Sequence, residues 1–136
     1  MIEEGLYKFI QAGINNATIP GYPVELPANA VTVTTPQAWS YRGITSIPTY
    51  YLSGQDAFTR WTVQLDLHGF TMAAAQALAR IVIGILSGGY RGTFTDVDST
   101  VVLGIFLLPS QVDGFSDISR TFIRSIEVEI QYYATI

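Results

Sequence analysis

The chain opens on a helical pattern of apolar positions. Ile2, Leu6, Phe9 and Gly13 recur at helical spacing with Ile10 and Ile14 beside them, while Glu3, Glu4, Lys8 and Gln11 take the other face. Two carboxylates in the first turn suit the positive end of the helix dipole. Glu4 and Lys8 are spaced for a pair one turn apart, and Gly13 with Asn15-Asn16 supplies the stop. Two later stretches alternate with the period of a strand. In Phe58–His68, Trp61, Val63, Leu65 and Leu67 point one way and Arg60, Thr62, Gln64, Asp66 and His68 the other. In Arg120–Tyr133, Phe122, Ile126, Val128, Ile130 and Tyr132 face inward, with Arg124 the exception, and Thr121, Ser125, Glu127, Glu129 and Gln131 face outward.

The intervening segments complete the order. Ile47–Ser53 is rich in strand formers, and Gly54-Gln55-Asp56 is expected to turn it into the strand that follows. Thr71 is a good N-cap for a second helix from Met72 to about Ser87, stopped by Gly88-Gly89. Its packing stripe is expected to be Leu78, Ile81, Val82 and Ile85. Tyr90–Thr100 reads as a loop or short strand, Val101–Leu108 as an apolar strand ended by Pro109, and Val112–Ser119 as a connecting turn. Five of the six prolines (Pro20, Pro23, Pro27, Pro36 and Pro48) crowd the first half of the chain. Proline removes a backbone donor, so residues 17–47 read as a long irregular connection, with Val31–Thr35 as one short edge strand. The expected architecture is one α+β domain over residues 1–136. It has a single sheet of about four mainly antiparallel strands, arranged as two hairpins, with the N-terminal and central helices on one face.

Composition changes the picture in one respect. Charged residues are only 13% of the 136, against about 25% in an average soluble domain. A membrane span does not account for this, because the apolar run Val101–Leu108 is far short of the ~20 residues that a spanning helix needs. Glu3 and Glu4 stand where the basic region of a signal peptide would be. Subunits that cover one another account for the deficit better. The outer stripe of the second helix (Ala73, Gln76, Arg80, Gly84 and Ser87) carries one charge, so either the proline-rich segment or a neighbouring subunit is expected to cover it. Long loops in small domains are functional or interfacial, and this one carries Tyr22, Trp39 and Tyr41, whose rings belong either to the core or to an interface. The interface candidates are therefore Gln76, Arg80, Trp39 and Tyr41. Net charge −4 and an isoelectric point near 4.7 argue against a basic nucleic-acid face.

Candidate chemistry is sparse. There is no cysteine, so a thiolate zinc site and a cysteine nucleophile are excluded. His68 is the single histidine, and Asp66 shares its strand face, but no Gly-x-Ser-x-Gly elbow accompanies them. Asp96-Val97-Asp98-Ser99-Thr100 lacks the glycine and closing glutamate of a calcium loop. Gly84, Gly88, Gly89, Gly92 and Gly104 spell no phosphate loop, and the basic residues are scattered. No catalytic residue, cofactor or metal is expected.

Several passages together carry a family resemblance. A short helix precedes a proline-rich connection and the strand Pro48-Thr49-Tyr50-Tyr51. A long strand ends in Val63-Gln64-Leu65-Asp66-Leu67-His68-Gly69, and an alanine-rich helix follows with Ala73-Ala74-Ala75, Ala77, Ala79 and Ile81-Val82-Ile83. The chain closes on Ile126-Glu127-Val128-Glu129-Ile130. This layout resembles the tail-completion, or tail-to-head joining, proteins of long-tailed bacteriophages, also called tail terminators. The resemblance implies an α+β subunit in a homo-oligomeric ring, typically a hexamer, at the virion's tail-to-head junction. Such a ring ends polymerisation of the tail tube protein, docks the head–tail connector protein and lets DNA pass through its lumen without sequence-specific binding. It brings no enzymatic residues. On this reading, Glu127 and Glu129 are the candidates for acidic residues lining the channel. The competing readings are another neck ring, such as a head-completion or adaptor protein, and a small α+β ligand-binding module.

Overall fold

The first helical pattern is helix α1, Ile2–Ile14, in the computed structural model of the chain. The structure describes residues 2–15, 19–24, 26, 31–32, 35–51, 54–87, 91–94, 100–116 and 121–133, the side chains of 45–51, 54–58, 109, 110 and 116 apart. Leu6 and Ile10 have no exposed surface, and Lys8 Nζ donates to Glu4 Oε1 at 2.8 Å across one turn. The helix ends on Asn15, whose φ of 51° is the left-handed conformation that asparagine tolerates at a helix end.

The strands are β1 (Gly21–Pro23), β2 (Gln37–Tyr51), β3 (Gly54–Gly69), β4 (Gly92–Thr93), β5 (Val101–Ser116) and β6 (Thr121–Tyr133), with helix α2 (Met72–Leu86) between β3 and β4. They form one six-stranded sheet in the order β1-β2-β3-β6-β5-β4. The β1–β2 pair is parallel and the others are antiparallel. The expected two hairpins are its body, joined along β3 and β6 with Val63 opposite Val128 and Leu65 opposite Ile126. The count of four strands is corrected to six, because β1 and β4 are three and two residues long and too short to show a period.

Both helices pack on one face of the sheet, as expected. Leu6 and Ile10 of α1 and Leu78 and Val82 of α2 share one buried cluster with Trp61, Val63, Leu65, Ile126, Val128 and Ile130. Burying each such aliphatic side chain contributes roughly 1.5–3 kcal/mol. Tyr7 of α1 stacks on Trp39 of β2, while Phe9 packs on Phe94 just after β4. One helix thus touches both margins of the sheet, which requires the twisted sheet to curl around it. At the other helix, the Gly69 backbone lies so close to Ala75 N and Thr71 O that no side chain fits there, and Thr71 Oγ1 accepts from Ala74 N at 3.2 Å as the cap.

Several boundaries differ from the sequence expectation. Residues 37–47 belong to β2 rather than to an irregular connection. Beyond Tyr41 nothing described pairs with the outer side of β2, so Pro48 sits on an open edge, and the β2–β3 register shifts beside it, between Pro48 and Tyr50. The hairpin reverses between Tyr51 and Gly54, two residues earlier than expected, and Gly54-Gln55-Asp56 lies in β3. Strand β5 does not stop at Pro109 but continues to Ser116. Its register shifts between Leu107 and Gln111, and a bulge at an edge absorbs the proline. Val31 and Thr32 are not in a strand; Thr32 N donates to Thr35 O at 2.9 Å in a turn, and Val33 and Thr34 lie outside the described residues. The buried stripe of α2 is Ala75, Leu78, Ala79, Val82 and Leu86, and Ile81 is 44% exposed. Phe122 is likewise not a core residue; it is exposed and meets Phe115 edge-on at 5.1 Å.

Candidate functional site

Three surfaces carry the candidate residues. The first is the outer face of α2. Arg80, Ile81 and Gly84 are exposed, Gln76 is half-buried, and open space surrounds the position that a Gly84 side chain would take. The proline-rich segment does not cover this face with any described residue. Its Leu26 and Val31 instead pack with Ala38 on the far side of the sheet, where Ala38 lies opposite His68. Arg80 makes no ion pair among the described residues.

The second surface is the polar face of the sheet, turned away from the helices. Glu127 pairs in register with Gln64, and Glu129 with Thr62 on one side and Phe106 on the other. Both glutamates are half-buried, and Glu129 Oε2 accepts from Gln131 Nε2 at 3.1 Å. Asp66 Oδ1 accepts from Gln64 Nε2 at 2.8 Å and from Ser125 Oγ at 2.6 Å. Phe106 interrupts this polar face with 47% of its surface exposed.

His68 belongs to the same face but is not a surface residue. It is 4% exposed, with Nε2 3.2 Å from Ser40 Oγ and Nδ1 2.8 Å from Thr121 Oγ1. Burial pushes its pKa below the ordinary 6.5, against a smaller upward pull from the Asp66 charge. Its ring nitrogens go to two hydroxyls and not to Asp66, and both hydroxyl residues are buried with it inside the subunit. Ser40 and Thr121 were invisible as partners in the sequence, since each comes from a different strand far along the chain.

The third surface gathers aromatics at the β1–β2 margin. Trp39 is fully buried; its ring stacks on Tyr7 at 5.5 Å and its Nε1 donates to Gln11 Oε1 at 3.0 Å. That ring is core, and only its neighbour Tyr41 reaches the surface. Tyr41 contacts Trp39 at 5.6 Å and Tyr7 at 6.4 Å. It lines a groove of about 390 Å³ together with Glu3, Glu4, Tyr7, Gly21 and Pro23. Burial, then the Glu3 charge, then Tyr7 raise the Tyr41 pKa, which keeps the phenol protonated. Of the interface candidates the structure brings Trp39 and Tyr41 together, and it leaves Gln76 and Arg80 apart on α2.

At the exposed end of the β5–β6 hairpin, Arg124 donates Nε to Asp113 Oδ1 at 2.8 Å and Nη2 to Asp113 Oδ2 at 3.1 Å. This fork explains why Arg124 can break the inward apolar pattern, and it holds the Asp113 carboxyl below its ordinary range. Among the described residues no group of three histidine, aspartate or glutamate side chains converges as a metal site would, and no helix is long and apolar enough to cross a membrane. The Asp96–Ser99 stretch and Gly88-Gly89 lie outside the described residues.

The fold has a counterpart among solved structures. A chain described as part of the virion of a native gene transfer agent particle superposes with a TM-score of 0.58, at 13% identity, over 92% of this chain and 84% of that one. At that identity the likeness is one of fold. No protein-family model matches the sequence, and no curated protein matches it.

Proposed function

We propose that this chain is a structural protein of a virion, and more finely a tail terminator. In that role it forms a ring on the last ring of a tail tube, stops further polymerisation, offers its free side to the head–tail connector and leaves a lumen for DNA. The observation that carries this reading is the fold shared with a virion chain over 92% of the length. The surface supports it. A ring contact is heterologous, so two different patches of each subunit must lose charge. The outer face of α2, with Arg80 as its one charge, is such a charge-poor patch, and the aromatic margin around Tyr41, on another part of the subunit, offers exposed ring surface for the opposite side of the contact. The reading assigns no catalysis, because the one histidine is sealed between Ser40 and Thr121. It is tested by electron microscopy of tails assembled with and without the protein. Tubes of uncontrolled length that fail to join heads are expected in its absence. Tails of normal length that join heads would overturn it.

A further inference from the structure

The groove beside the first turn of α1 has aromatic walls and an acidic rim. Tyr7 and Tyr41 stand 6.4 Å apart with their planes at 47°, and Gly21 and Pro23 close the side toward β1. Glu4 is already held by Lys8 at 2.8 Å. Glu3 is exposed, and among the described residues it has no cationic partner. Ring faces attract a cation through their quadrupole, and a carboxylate beside them accepts its N–H groups. Together they suit a guanidinium, which is planar, weakly hydrated and able to stack and donate at once. An anion would meet the two carboxylates, and a purely apolar ligand would strip water from them without return.

A matching cation lies elsewhere on the same chain. Arg80 is the only charge on the outer face of α2, exposed between half-buried Gln76 and exposed Gly84. The other exposed arginines fit less well. Arg42 follows Tyr41 at the groove's own margin, Arg60 lies on the polar face opposite Gln131, and Arg91 flanks the two-residue β4 at the other margin of the sheet, away from the charge-poor face of α2. The groove opens at the β1–β2 margin, whereas α2 lies chiefly over β3 and β6. The two features therefore belong to different parts of one subunit, as a head-to-tail contact requires. We propose that this groove is the socket for the Arg80 guanidinium of a neighbouring copy of the chain, with Glu3 as its counter-ion and Tyr7 and Tyr41 as its walls. This rests on the ring reading above.

Charge exchange tests it, with ring formation on isolated tail tubes read by electron microscopy and native mass spectrometry. Glu3→Arg alone and Arg80→Glu alone are each expected to weaken assembly about tenfold or more, and the double variant to recover most of the loss. An equimolar mixture of the two single variants should also form rings, because each socket then meets an opposite charge on the next copy. Circular dichroism and melting separate assembly from folding. Should Glu3→Arg disturb the helix start, Glu3→Gln replaces it and is expected to weaken assembly with the melting temperature nearly unchanged. Single variants that assemble like the parent, or a mixture no better than its components, would overturn the socket while leaving the ring standing. A parent protein that forms no ring, alone or on tubes, would instead overturn the ring reading itself.

Discussion

His68 of β3 and Thr121 at the start of β6 meet through a 2.8 Å contact between Nδ1 and Oγ1, both side chains buried. With Ser40 of β2 on the other ring nitrogen, one imidazole ties three strands on the polar side of the sheet. Burial lowers its pKa from 6.5, so the folded state prefers the neutral ring. The unfolded chain binds the proton more readily, and linkage then gives stability that is fully present above the unfolded pKa and is lost as pH falls toward the folded value. The melting temperature is expected to drop between about pH 7 and pH 5. His68→Gln should flatten that part of the profile, and a profile unchanged by the substitution would show that His68 does not govern it.

Gly69 admits the N-terminal turn of α2 at closer range than any side chain would allow. Because the obstacle is backbone of Thr71 and Ala75 rather than a mobile side chain, Gly69→Ala is expected to destabilise by roughly 2–3 kcal/mol. Urea unfolding measures it. Gly84→Ala is the control, since a Cβ there meets nothing within 4 Å, and it should be neutral or slightly stabilising through helix propensity.

Val24 holds a φ of 67° while its N–H donates to Tyr41 O at 2.7 Å, and its side chain is 66% exposed. A β-branched residue is strained in that region, and little burial compensates. Val24→Asn is expected to stabilise the chain by roughly 1 kcal/mol, read as a higher urea midpoint. A midpoint that falls would show that the valine side chain contributes more to the folded chain than its backbone strain costs.

Glu127 and Glu129 stand half-buried on the polar face, in register with Gln64 and Thr62, and Arg60 lies one row further along opposite Gln131. If that face lines the lumen of a ring, replacing both with lysine puts positive charge along the path of DNA. Particles carrying the double variant are expected to retain or eject DNA more slowly, with a salt dependence that the parent lacks. Unchanged DNA passage would move the lumen to another face.

Much of the framework was legible in the residues alone. The alternation in β3 and β6 identified their buried faces correctly from Trp61 to Leu67 and from Ile126 to Tyr132, because a strand repeats every two residues and burial follows that repeat. Thr71 marked the start of α2 for an equally local reason, a side-chain oxygen placed to accept a helix N–H. Misreadings arose where a neighbour decided the outcome. Pro48 and Pro109 look like breakers, yet each is accommodated on a sheet edge or bulge that only the strand order creates. Ile81 fits a helical stripe, but the turn of α2 on the sheet gives the buried place to Ala75 and Ala79.

The sequence by itself determined the helices, the two alternating strands β3 and β6 and the shortage of charge, since these depend on spacing and composition within single segments. Tertiary structure decided which residues share a site. It sealed His68 between hydroxyls from two other strands, drew Trp39 into the core and left Tyr41 at its rim, and set Glu3 and Tyr7 of α1 against Tyr41 of β2 to make a groove. Those partners lie tens of residues apart, and no local pattern records a contact that only the curl of the sheet around α1 brings about.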